Sequence, residues 1–130
     1  MKSFMIILLM ITGVLGDSII KNTDIITIAT GGYSGHSLVK SLRRTGQWKS
    51  NIYVVSDNCT TPIKNTFNIR VPRTFTPLES KVHKMNILNY TNSDYVLFLD
   101  SDIKIVSNLH YFIIRLFIFF LLLVIMLRHI

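Results

Sequence analysis

The chain has 130 residues, 49% of them hydrophobic and 16% charged, with a net charge of +7. That length allows one domain at most. Lys and Arg stand singly apart from Arg43-Arg44, with no basic run interleaved with aromatics, which argues against nucleic-acid binding; the single cysteine, Cys59, excludes an internal disulfide and a multi-cysteine zinc site.

Residues 1–16 read as a secretory signal peptide. Lys2 is the charged start, residues 4–15 are apolar apart from Thr12 and Gly13, and Val14 and Gly16 are small residues near a cleavage site. The apolar stretch is short for a membrane span, which needs about 20 residues; an uncleaved signal anchor is the alternative. Either way the expected location is the secretory pathway: the endoplasmic reticulum or Golgi lumen, a membrane surface, or the exterior. In that compartment Cys59 is a free thiol or an intermolecular link. Two glycosylation sequons occur, Asn58-Cys59-Thr60 in a polar loop and Asn89-Tyr90-Thr91 at the end of an expected helix, the second expected to be the less accessible.

Ile25-Ile26-Thr27-Ile28-Ala29 is a β-branched run ended by Thr30-Gly31-Gly32, so it reads as a buried strand and a glycine turn. Residues 35–44 carry Leu38, Val39 and Leu42 on one helical face, with Ser34 or Ser37 as cap and Gly46 as stop. Residues 51–56 form a second buried strand, 57–64 a loop, and 67–71 a short third strand closed by Pro72. Thr76-Pro77-Leu78-Glu79 announces a helix: Thr76 as N-cap, Pro77 at the first position, Glu79 completing a capping box. Leu78, Val82, Met85 and Leu88 follow at helical spacing, and Thr91-Asn92-Ser93 ends the helix. Tyr95-Val96-Leu97-Phe98-Leu99 is the fourth strand. Residues 111–127 hold one charge, Arg115, and are apolar all round, which suits lipid better than a one-sided core.

Strand, helix, strand, strand, helix, strand with apolar strands implies an α/β fold with a mostly parallel sheet. The expected organisation is a signal peptide over 1–16, a globular α/β domain over 17–110 and a hydrophobic segment over 111–130. In such sheets ligands bind beyond the carboxyl ends of strands. Two special features sit at such ends: Thr30-Gly31-Gly32-Tyr33 and Asp100-Ser101-Asp102. Two carboxylates spaced i, i+2 fall on one side of an extended chain. A buried charge there calls for a partner, and hard oxygen ligands suit Mg²⁺ or Mn²⁺ holding a diphosphate. The plain alternative is a solvated turn with two acids. Gly31-Gly32 permits positive φ and close backbone approach, with Tyr33 placed to stack on a base; most such pairs are only turns. Neither GxGxxG nor GxxxxGK[ST] is present. Lys81 is placed to pair with a phosphate, or is a surface lysine. Lys81 and His83 are two apart and do not share a helix face. His36 and His110 read as structural or exposed, and His129 as exposed.

Tyr95-Val96-Leu97-Phe98-Leu99-Asp100-Ser101-Asp102-Ile103 resembles the Asp-x-Asp strand of GT-A glycosyltransferases, particularly glycosyltransferase family 8, the glycogenin-like and galactinol-synthase-like enzymes. Ser80-Lys81-Val82-His83-Lys84 resembles the segment before that motif, and Val106-Ser107-Asn108-Leu109 resembles the segment after it. Ile26-Thr27-Ile28-Ala29-Thr30 with the turn and Tyr33 resembles the family's first strand and nucleotide loop. The resemblance covers about residues 24–110. It implies the Rossmann-like half of a GT-A fold and a retaining hexosyltransferase using a UDP-linked sugar with Mn²⁺ (or Mg²⁺). Asp100 and Asp102 would hold the metal. Lys81 would contact the donor, and Thr30, Gly31 and Tyr33 would border the nucleotide. The acceptor, whether carbohydrate, protein or lipid, is not specified. Members of the family continue into an acceptor-binding half with a later metal-site histidine. Here an apolar tail begins at about Tyr111, so the expectation is a truncated chain without a complete active site. The tail is then either a membrane anchor or translated non-coding sequence.

Two other readings compete. A haloacid-dehalogenase-like phosphatase would use Asp100 as nucleophile and Asp102 as general acid; that motif usually lies on the first strand, and Lys104 stands where Thr or Val is expected. A membrane-anchored, non-catalytic binding module is the other.

Overall fold

The β-branched run forms β1 (Thr23–Ala29), all seven of whose residues are buried. Burial on both faces is what a central parallel strand requires. β2 (Ile52–Ser56) and β4 (Tyr95–Phe98) flank it, and β3 (Phe67–Arg70) lies outside β2. The order is β3-β2-β1-β4 and every pairing is parallel, with Ile25 in register with Ile52 and Leu97. α1 (His36–Arg44) joins β1 to β2, α2 (Pro77–Met85) and the 3₁₀ turn Ile87–Asn89 lead into β4, and α3 (Leu109–Arg128) follows. This computed structural model describes residues 16–57, 61–73 and 75–129. The signal-peptide reading, apart from Gly16, and the sequon with Cys59 lie outside those residues.

The step from β1 to β2 and the step from β3 to β4 run in opposite directions across the sheet. Right-handed crossovers in opposite directions place their helices on opposite faces, and the two apolar clusters agree. One face packs Ile25, Ile52 and Val54 against Leu38 and Leu42 of α1, together with Trp48, Leu109 and Ile113. The other face packs Ile26, Ile28 and Val55 against Ile87 and Tyr90. The first face is anchored. Arg43 donates to the carbonyls of Trp48 (2.8 Å), Ser50 (2.8 Å) and Asn65 (2.9 Å). Burial lowers the pKa of that guanidinium. Gly46 follows the end of α1, where a Cβ would lie 2.8 Å from the Leu42 carbonyl oxygen.

Several expectations change. β4 is an edge strand among the described residues, so its side chains are exposed to half-buried rather than buried. The helix from Pro77 stops at Met85 and tightens into the 3₁₀ turn. Leu78, Val82, Met85 and Leu88 are all exposed, because no described element covers that side. Neither Ser34 nor Ser37 caps α1 through its side chain; the N-cap is Gly35, and Ser34 Oγ accepts from the His36 amide at 3.3 Å. Asn89 is exposed, contrary to its expected inaccessibility, although the Thr91 hydroxyl of its sequon is buried and donates to Asp24.

α3 has 20 residues, of which only Leu109 and Ile113 are buried. At 1.5 Å per residue it is about 30 Å long, the thickness of a hydrocarbon core. It is long and apolar enough to cross a membrane.

Candidate functional site

The crevice outside β1 and β4 is where the strand order reverses, the usual ligand position in open parallel sheets. On the β1 side the chain turns through Gly31 (φ 68°) and Gly32 (φ 88°), conformations that a Cβ disfavours. The Tyr33 amide closes the turn on the Thr30 carbonyl at 3.4 Å. Asp57, fully buried at the end of β2, accepts from the Gly31 amide at 2.9 Å. Arg70 in turn donates to the Asp57 carbonyl. A buried carboxylate thus ties the glycine turn to the neighbouring strand.

The opposite wall is α2. Thr76 Oγ1 accepts from the Glu79 amide at 3.4 Å, and Glu79 Oε2 accepts from the Phe75 amide at 2.9 Å. The capping box therefore reaches one residue further back than the usual form. Pro77, Ser80, Lys81 and Lys84 stand at i, i+3, i+4 and i+7, so they share one helix stripe. Thr30 Oγ1 lies 3.1 Å from Ser80 Oγ and ties α2 to the turn. Between the walls is a cavity of about 310 Å³, lined by Thr30, Gly31 and Tyr33 on one side and by Ser80, Lys81 and Lys84 on the other.

Beyond β4, the Ile103 amide donates to the Asp100 carbonyl at 3.1 Å, so Asp100-Ser101-Asp102 is a turn, not an extended segment. The same-side argument from strand alternation does not hold there. Nor is the motif buried. The Asp100 side chain is 51% exposed and its Oδ1 lies 2.9 Å from Lys84 Nζ. Ion pairs this exposed are worth about 1 kcal/mol or less. Asp102 is exposed, with no side-chain hydrogen bond or ion pair among the described residues. Lys84 therefore links the acidic turn to the cavity.

Among the described residues there is no group of three or more His, Cys, Asp and Glu side chains that could hold a metal ion. The protein offers two hard carboxylates, and a divalent cation there would need water or phosphate oxygens to complete its shell. Asp100 and Asp102 are hard oxygen donors of the kind such an ion takes, and the Lys84 ammonium stands at Asp100 in its place.

Of the residues singled out from sequence, Thr30, Gly31, Tyr33 and Lys81 line one cavity, and Asp100 meets it through Lys84. His83 is turned elsewhere, with Nδ1 3.0 Å from the Tyr90 hydroxyl. His110 stacks edge-on against Trp48, with ring centroids 5.8 Å apart. Sequence reasoning missed Lys84, Ser80 and Asp57. The three-residue spacing of Lys84 from Lys81 was an available signal; nothing local marked Asp57. A larger apolar groove, about 500 Å³ between α3 and the amino ends of β1 and β4, carries no charged side chain.

In comparisons with known proteins, no family model, curated protein or solved structure matches this chain.

Proposed function

We propose that this chain binds the nucleotide-sugar donor of a glycosyltransferase reaction, a UDP-linked hexose accompanied by Mn²⁺ or Mg²⁺. The observation that carries the reading is Lys84, which lines the glycine-turn cavity and also reaches Asp100. Through it, a crevice at the switch point that holds a turn suited to close backbone approach and two lysines is joined to Asp100 of the acidic turn. In this reading Thr30 and Gly31 border the nucleotide and Tyr33 stacks on its base. Lys81 pairs with the diphosphate, and Asp100 and Asp102 hold the cation. When bound, that cation neutralises the diphosphate and eases its departure as a leaving group. The chain's own contribution is orientation of the donor. The sugar would pass to a carbohydrate, protein or lipid acceptor.

Titration calorimetry with UDP, with and without Mn²⁺, tests this. Binding is expected to require Mn²⁺ and to be lost in Asp102→Ala. An affinity that ignores both changes would remove the proposal.

A second reading accompanies the first. The mostly exposed apolar length of α3 favours a membrane-tethered chain in the secretory pathway. Alkaline carbonate extraction should leave the protein in the membrane pellet; release into the supernatant would exclude the tether.

A further inference from the structure

We infer that Lys84 is a tethered counter-cation that occupies Asp100 until a divalent cation and a diphosphate arrive together, and that it then turns to the phosphate. The inference rests on the nucleotide-sugar reading above. Lys84 Nζ lies 2.9 Å from Asp100 Oδ1, while the same side chain lines the cavity beside Lys81 and Thr30. Among the described residues nothing else holds it strongly. Its other contact is with the face of Phe98, 5.5 Å from the ring centroid, and its side chain is 43% exposed. A pair this exposed exchanges at little cost. The four-carbon stem of a lysine lets the ammonium swing without moving the helix. Lys81 lies one turn earlier on the same stripe, and both lysines line the same cavity.

The charges make the two bindings depend on each other. A free divalent cation meets an Asp100 already neutralised and an ammonium that repels it. A cation bound to diphosphate replaces Lys84 at Asp100 and brings the anion that Lys84 then needs. Lys84 thus disfavours the bare ion and favours the ion–diphosphate complex, a coupling of one site to the other. The pair lies between residues 16 apart in sequence, across the loop from α2 to β4.

The test is direct binding to the full chain in detergent. Mn²⁺ alone is followed by the paramagnetic resonance signal of the free ion, and UDP with Mn²⁺ by calorimetry. The variants are Lys84→Met, Lys84→Gln and, as control, Asp102→Asn. Without the competing ammonium, Lys84→Met and Lys84→Gln should bind Mn²⁺ alone about fivefold more tightly. They should bind UDP with Mn²⁺ about tenfold more weakly, having lost a charged phosphate partner. If both variants leave the affinity for Mn²⁺ alone unchanged or lower it, while the wild type still binds UDP in an Asp102-dependent way, Lys84 is only a staple between helix and loop. That result overturns the inference and spares the nucleotide reading. If the wild type binds neither Mn²⁺ nor UDP, both fall.

Discussion

The two nine-residue helices of this protein are held by opposite means. α1 has no side-chain cap, yet it buries Leu38, Val39, Ser41 and Leu42 and is lashed by Arg43 to three carbonyls. α2 has an N-cap, a proline at its first position and a reaching glutamate, yet none of its residues is buried. Packing holds one; capping hydrogen bonds and a few polar ties, Thr30–Ser80 and Lys84–Asp100, hold the other. Most helical stability in proteins comes from packing of an apolar face, so α2 is the weaker element. It is also the one that carries Ser80, Lys81 and Lys84. Binding segments are commonly drawn from the less stable end of a fold.

This contrast is open to direct attack. The largest expected effect is the gap between Leu42→Ala and Val82→Ala. Leu42 is fully buried, so its truncation should cost about 2–5 kcal/mol. Val82 is 48% exposed, so its loss should stay within about 0.5 kcal/mol. Urea unfolding followed by the single tryptophan, Trp48, which is 1% exposed, reads both. Equal costs would show that α2 is packed after all. A smaller effect is expected for Thr76→Ala, which removes the cap of α2 at about 1 kcal/mol. Because α2 lacks a core face, the loss should appear as faster amide hydrogen exchange confined to residues 77–85, with the global urea midpoint little changed. A global shift as large as that of Leu42→Ala would make α2 part of the cooperative core.

The candidate site divides along the same line. The glycine turn was readable because two adjacent glycines after an apolar strand permit positive φ, and Gly31 and Gly32 adopt it. Lys81 was singled out as a phosphate partner or a surface lysine, and it lines the cavity. The acidic motif was read correctly as the end of a strand and incorrectly as buried. The apolar run before it belongs to an edge strand, and hydrophobicity alone does not tell an edge from a centre. Lys84 and Asp57 were passed over because their partners, Asp100 and Gly31, lie 16 and 26 residues away.

The sequence by itself determined the elements and their punctuation. Apolar runs, β-branched in β1 and β2, gave the strands, Thr76-Pro77-Leu78-Glu79 started α2, Gly46 stopped α1, and apolarity on all sides made α3. These signals act between residues a few positions apart, through backbone sterics and local hydrogen bonds, so they survive without a partner. Only the tertiary structure decided that β1 is central and β4 an edge, that Leu78 and Met85 face outward, and that Lys84 stands between the cavity and Asp100. Burial and pairing depend on what covers a face, and no periodicity within a helix or strand encodes its cover.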